Sequence, residues 1–194
     1  MQVHLVSKRR AAASIEAAYP EAVVVDVTSR GPQPWVRLSP FFPHGDIPVP
    51  FTPGVTSRSV EGVWQALKVF LHADVDPGKL TVTAMRGLKR TTAAYGLPLG
   101  HRRGLHGTVL LGYEHARREI YLPTYRHLLE GPAAPEVAQL RELAEGGQVV
   151  LLDYTLNGDP ADLRTSLSHA ALLRRHLLGD WPSEIHADPA DTAG

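Results

Sequence analysis

Val3-His4-Leu5-Val6, then Lys8-Arg9-Arg10-Ala11-Ala12-Ala13-Ser14-Ile15-Glu16-Ala17-Ala18, then Ala22-Val23-Val24-Val25-Asp26-Val27 open the chain. The first is a short apolar run, the second an Ala-rich segment with helical preference, and the third a β-branched run, so the order reads strand, helix, strand. That order is the beginning of an α/β layer. A second strongly apolar run, Gln148 to Tyr154, has the continuous hydrophobic character of a strand buried on both faces. Between and after these strands the apolar spacing predicts helices over 59–71, 81–94, 114–129, 136–144 and 163–178. The expected architecture is therefore a single α/β (α+β) domain over residues 1–182. A small mixed sheet that includes 22–27 and 148–154 is flanked by about five helices, and 183–194 form a flexible tail.

Composition bounds the function before any motif does. The chain has 194 residues, 43% hydrophobic and 21% charged, which is the profile of one ordinary globular domain. It contains no cysteine, so disulfides, thiolate nucleophiles and thiolate-held metal clusters are excluded. No run approaches the roughly 20 apolar residues of a membrane span, and the N-terminus lacks the pattern of a secretion signal, so a cytoplasmic location is expected. Twenty Lys and Arg balance twenty Asp and Glu, which leaves no global field for nucleic acid or anionic membrane. The balance is uneven along the chain: residues 77–129 carry nine basic and two acidic groups, and 130–194 carry four and eleven. A basic middle segment beside an acidic last third describes either a polarised surface or a local anion site.

From Gly31 to Gly54 seven prolines, at 32, 34, 40, 43, 48, 50 and 53, forbid a regular helix, while Trp35, Phe41, Phe42 and Phe51 argue that the segment is ordered. A connection this long inside a small domain tends to be a binding loop. It leads straight into the helix expected from Ser59, whose first turn carries Glu61, with Gln65 and Lys68 on the same face. A carboxylate in a first turn feels the helix dipole, which favours its ionised form and predicts a lowered pKa. Trp64 shares its spacing with Val60, Val63 and Leu67, so it reads as core or as a stacking surface. Gly62 is unfavourable inside a helix by about 1 kcal/mol, which points to close approach of a ligand or of another backbone.

Other chemistries find little support. Ten histidines are present, yet no His-Glu-x-x-His occurs, so no metal site is expected. His169 and His176 share a face of the last helix with nothing acidic at helical spacing, and read as surface or core-edge residues. There is no Walker sequence, no G-x-G-x-x-G and no G-x-S-x-G. Gly100-His101-Arg102-Arg103-Gly104 reads as a glycine-rich loop whose arginines hold a pyrophosphate or face water.

Leu38-Ser39-Pro40-Phe41-Phe42-Pro43, a spacer, and Ser59-Val60-Glu61-Gly62-Val63-Trp64-Gln65-Ala66-Leu67-Lys68-Val69-Phe70 resemble the NADAR family (NAD- and ADP-ribose-associated proteins). Pro40 stands where that family has Asn, and Gly62 where it has His after the motif glutamate. The resemblance implies a NADAR-like fold and an N-glycosidase that cleaves the ribosyl–base bond of an ADP-ribosylated base, such as ADP-ribosyl-guanine, or of a phosphoribosylated heterocycle. It implies Glu61 as the acid/base, with Asp153 or Asp159 in a second acidic role and no cofactor. Phe41, Phe42, Trp64, Gln65 and Lys68 are expected near the substrate, and Arg86, Arg90, Arg102 and Arg103 are the candidates for its phosphates. The partner is then an ADP-ribosyl or ribosyl-phosphate small molecule, free or carried on nucleic acid. A second reading keeps the nucleotide but not the reaction, as a noncatalytic NAD or ADP-ribose binding module. A third takes the acidic C-terminal third and the apolar last helix as a partner surface.

Overall fold

The computed structural model describes residues 1–184, which leaves most of the tail expected over 183–194 outside the described residues. Strand β1 (Gln2–Ser7), helix α1 (Ala12–Ala18) and strand β2 (Val23–Asp26) follow the order read from the sequence. The two strands are not neighbours: the late strand β8 (Gln148–Asp153) lies between them, parallel to both, giving the order β1-β8-β2. β8 is thereby paired on both edges and covered on both faces, which is why it is apolar without interruption. Its period-2 alternation still divides two packing layers. Val149 and Leu151 enter the main core, while Val150 packs with Val6 and with Ile15 of α1 on the opposite face.

The proline-rich segment is ordered as expected. Trp35–Leu38 form a 3-10 turn, and the buried Leu38, Ile47 and Val49 insert into the core. The buried Tyr125 hydroxyl donates to the Leu38 carbonyl at 2.9 Å and ties the segment down. Two-residue strands β3 (Ile47–Pro48) and β4 (Thr56–Ser57) pair antiparallel and lead into helix α2 (Val60–Leu67). Ser59 caps α2, its Oγ accepting from the Gly62 N–H at 3.0 Å, and the Pro40 carbonyl accepts from the Glu61 N–H at 2.8 Å. The proline-rich segment therefore satisfies one of the orphan donors of the turn that carries Glu61.

Helix α2 stops at Leu67, four residues short of the expected end. Lys68–Phe70 turn extended as strand β5, because they pair with β6 (Pro98–Arg102), which in turn pairs with β7 (Leu110–Leu111). The run Lys68-Val69-Phe70 suits either state, and the available ladder decides it. The helix expected over 81–94 is also absent. After a 3-10 turn at Pro77–Thr81 the chain runs irregularly to the single-turn α3 (Thr92–Tyr95). Gly87 takes φ +75°, and the Arg90 N–H donates to the Gln65 side chain at 2.9 Å instead of to a helical carbonyl. Residues 100–102, expected within a glycine-rich loop, belong to strand β6.

Helix α4 (Tyr113–Ala116), a π turn (Arg117–Tyr121) and α5 (Leu122–Glu130) follow without a break, and α6 (Ala134–Gly146) returns toward β8. Pro123 cannot donate to a carbonyl one turn back, and the widened turn preceding it absorbs that loss. The last helix, α7 (His169–Leu178), starts six residues later than expected. Ser168 caps it, accepting from the Ala171 N–H at 3.1 Å, and residues 160–165 are held irregular by Arg117, which donates to the carbonyls of Pro160, Asp162 and Thr165 at 3.2, 2.7 and 2.7 Å. Among the described residues no helix is long and apolar enough to cross a membrane.

Candidate active site

A cavity of about 640 Å³ opens beyond the carboxyl ends of β2 and β8. Such ends are where α/β sheets expose chain turns and gather ligand groups. Thr28, Ser29 and Arg30 reach it just after β2, and Asp153, Tyr154 and Thr155 at the end of β8. Ser39, Pro40 and Phe41 come from the proline-rich segment, and Glu61, Trp64, Gln65 and Lys68 from α2 and the residue after it. Glu61 and Gln65 fall at helical spacing on one face of α2, and Lys68 follows directly at its C-terminal end. The remaining wall includes Lys89, Arg90, Tyr113, Arg117, Tyr121 and His169.

Glu61 is 6% exposed, and its Oε1 accepts from Gln65 Nε2 at 2.9 Å. Nothing among the described residues hydrogen-bonds Oε2, which leaves that oxygen free for a ligand. Burial pushes the Glu61 carboxyl above the ordinary glutamate range, against the Gln65 hydrogen bond and the charges of Lys89, Lys68 and His169, which pull it down. This reverses the expectation drawn from the helix dipole. A first-turn dipole is worth about 0.3–1 kcal/mol, whereas taking a carboxylate out of water costs several kcal/mol, so burial decides the sign.

Asp153 shares the cavity and is shifted in the opposite direction. Its Oδ2 accepts from Ser168 Oγ at 2.7 Å and lies 3.1 Å from His169 Nδ1, while Oδ1 accepts from the Tyr154 N–H at 2.7 Å. Burial alone would raise its pKa, but the His169 charge and these hydrogen bonds outweigh burial and hold it at about 2. The other nitrogen of His169, Nε2, donates to the Val27 carbonyl at 2.9 Å. Burial would lower the His169 pKa, yet Asp153 and the Val27 carbonyl raise it. The cavity therefore holds two carboxyls whose pKa values are pushed in opposite directions, the kind of arrangement that can separate acid and base roles at one pH.

The remaining candidates divide. Phe41, Trp64, Gln65 and Lys68 line the cavity; Phe42 does not, and packs against His44 and the Arg37 guanidinium. Trp64 packs against the core and forms part of the wall, its ring 3.7 Å centroid to centroid from the buried His101 and tilted by 34°. The phosphate candidates fare worse. Arg102 is engaged by Asp74 at 2.8 Å, Arg103 by Glu119 at 3.1 Å, and neither lines the cavity; Arg86 is exposed outside it. Arg90 lines the wall, but its guanidinium is turned to the carbonyls of Lys68 and Asp74 at 2.7 and 2.8 Å. Asp159 belongs to a turn, accepting from the Ala161 N–H at 2.9 Å, and stands outside the cavity. The cations left to the cavity are Lys68, over the Tyr113 ring, Lys89, over the Phe41 ring, and the exposed Arg30.

Gly62 is explained by a backbone and not by a ligand. A Cβ there would stand 2.5 Å from Ser57 Oγ and 2.9 Å from the Lys79 carbonyl oxygen. A side chain at 62 thus points into packed structure, and a histidine has no room in this fold. His169, Lys89, Tyr113 and Tyr121 were not among the residues expected in a site. For His169 the missing signal is its partner, which comes from the end of a strand and not from its own helix. Among the described residues no group of three or more His, Asp or Glu side chains gathers as a metal site would require.

Residues 7–173 match a family described as a family of unknown function (DUF6939), and the chain belongs to that family. The matched span contains every residue that lines the cavity. No curated protein and no solved structure matches the chain.

Proposed function

We propose that the protein is an N-glycosidase that hydrolyses the bond between ribose C1′ and a base nitrogen in an ADP-ribosylated or phosphoribosylated compound. The observation that carries this reading is Glu61: a buried carboxyl with one oxygen clamped by Gln65, the other free, and a raised pKa, in a cavity that also holds the ionised Asp153. Breaking a ribosyl–base bond develops positive charge at C1′ and negative charge on the departing nitrogen. Glu61 in its acid form delivers a proton to that nitrogen, the C1′–N bond breaks, and the resulting carboxylate takes a proton from the water that adds to C1′. Asp153, held anionic, stabilises the oxocarbenium-like charge.

The surroundings suit such a substrate. About 640 Å³ falls in the range of small-ligand sites and accommodates a nucleotide. Phe41, Trp64 and Tyr113 offer aromatic surface for a base. Lys68 and Lys89, which make no ion pair among the described residues, supply charge for phosphate in place of the arginines expected from sequence.

The test is release of free base and ADP-ribose from ADP-ribosyl-guanosine and from an ADP-ribosylated oligonucleotide, separated by chromatography, for the wild type and Glu61→Gln. Release by the wild type that falls by about 10²-fold or more in the variant supports the reading. No release from either substrate, with ADP-ribose raising Tm in both proteins, replaces it with a binding module.

A further inference from the structure

The geometry points to His169 as a positioning residue that acts through Asp153: an imidazolium wedged between Asp153 and the Val27 carbonyl keeps Asp153 anionic and fixed in the cavity. The role in catalysis rests on the glycosidase reading; the charge assignment does not. A neutral imidazole has one N–H. Here Nδ1 lies 3.1 Å from Asp153 Oδ2 and Nε2 lies 2.9 Å from the Val27 carbonyl oxygen, so both ring nitrogens face acceptors. Neither tautomer satisfies both contacts, and the doubly protonated ring does. Because both N–H groups are committed, His169 has none left for a substrate. Its influence must run through the carboxylate it pairs and through its charge.

The groups packed around the ring agree with that charge. β8 contributes the Asp153 carboxylate and β2 that of Asp26, itself paired with Lys8, while Glu61 of α2 adds a negative charge only once it ionises. From α5 the neutral Tyr125 meets the ring edge-on at 6.3 Å, and burial keeps that phenol protonated. The side chain of His169 is 12% exposed and that of Asp153 7%, so solvent screens the pair little. Ser168 Oγ and, at 3.4 Å, the Ala170 N–H complete the cradle for Oδ2 at the first turn of α7. With Oδ2 committed to these donors, Oδ1 accepts, among the described residues, only the Tyr154 N–H and retains a lone pair for a ligand.

Loss of the imidazolium thus removes the main counter-charge of a buried carboxylate, and the acid limb of the pH–rate profile must move upward with Asp153. Imidazole ¹⁵N shifts of the wild type at pH 7.5, with carboxyl ¹³C titrations of wild type, His169→Gln and Ser168→Ala, read the charges without any turnover. The expected result is a doubly protonated His169 and an Asp153 that titrates below the ordinary carboxylate range in the wild type. Asp153 should move up strongly in His169→Gln and less in Ser168→Ala, which removes the Oγ donor and the α7 cap but no charge. A neutral His169 in the wild type overturns the proposal, even if His169→Gln does not fold. An Asp153 titration unmoved by His169→Gln overturns it as well. For base release, His169→Gln should lower kcat by about tenfold or more with the acid limb displaced upward and KM little changed. A loss equal at every pH makes the residue merely structural. Absence of release by the wild type removes the glycosidase reading while the two titrations still decide the charge assignment.

Discussion

Replacing Gly62 with alanine tests whether the turn that carries Glu61 is fixed by packing. In a solvent-exposed helix the change would stabilise by about 1 kcal/mol. Here the new methyl stands 2.5 Å from Ser57 Oγ, 2.9 Å from the Lys79 carbonyl oxygen and 3.1 Å from Ser59 Oγ. Carbon–oxygen contacts rest near 3.3–3.6 Å, so the turn must shift by roughly half an ångström or more. The obstacles are not free to yield. Lys79 presents backbone, and Ser57 Oγ is a buried hub that donates to the Ser59 carbonyl at 2.9 Å and accepts from the Ser59 N–H at 3.3 Å. Overpacking of this kind costs about 1–3 kcal/mol, and loosening the Ser59 cap adds about 1 kcal/mol. Set against the propensity gain, Gly62→Ala should destabilise by about 1–3 kcal/mol, which for a chain of this size lowers Tm by roughly 3–10 °C. Urea unfolding followed by far-ultraviolet circular dichroism measures it. An alanine variant as stable as the wild type would refute the packing argument, and with it the conclusion that position 62 has no room for a histidine.

Glu61→Gln should raise stability at neutral pH. A carboxyl whose folded pKa is raised costs nothing below its unfolded value and loses stability as pH rises through the folded one, so the variant's advantage in urea melts should grow from pH 4 to pH 8 and reach roughly 0.5–2 kcal/mol. An advantage that shrinks with pH contradicts the sign. Arg117→Met frees three carbonyls of the 160–165 segment and should cost about 2–4 kcal/mol, with limited proteolysis striking that segment first; an unchanged cleavage pattern would show that Arg117 does not pin it. Lys68→Ala and Lys89→Ala should abolish the Tm increase produced by ADP-ribose, whereas Arg102→Ala and Arg103→Ala should leave it intact. The reverse pattern in calorimetric titration would move the anion site out of the cavity.

Where the sequence was legible, local chemistry and tertiary structure agreed. Val23–Asp26 and Gln148–Asp153 are β-branched and apolar runs with strand preference, and Ser59 marks the start of α2 by the donor it satisfies. Where it was not, a long-range partner decided. Lys68–Phe70 left the helix for β6, and Arg90 gave its N–H to Gln65. The insertion of β8 between β1 and β2 is a pairing between strands more than a hundred residues apart, which no local pattern announces. The cations follow the same logic. Arg90, Arg102 and Arg103 each have a fork of donors, and the fold commits them to carbonyls or carboxylates, whereas Lys68 and Lys89 make no ion pair among the described residues.

The two cavity acids show why ionisation state needs the fold. Glu61 and Asp153 each lie close to the first turn of a helix, α2 and α7, where the dipole favours a carboxylate. Proximity to a helix N-terminus, by chain position for Glu61 and by tertiary packing for Asp153, therefore favours the same direction for both. What separates them is the count of donors. Asp153 meets Ser168 Oγ, the Tyr154 N–H and a cationic ring, while Glu61 meets one amide of Gln65 and otherwise only more distant charges. In a buried setting each donor to the charged form offsets part of the cost of desolvation, so the well-supplied carboxylate stays ionised and the poorly supplied one keeps its proton longer. The donors of Asp153 come from β8's own end and from the α7 cap, which approach each other only because β8 is the central strand. The division of charge in this cavity is thus a consequence of strand order, and a change that dislodged α7 from β8 would erase it without touching Glu61.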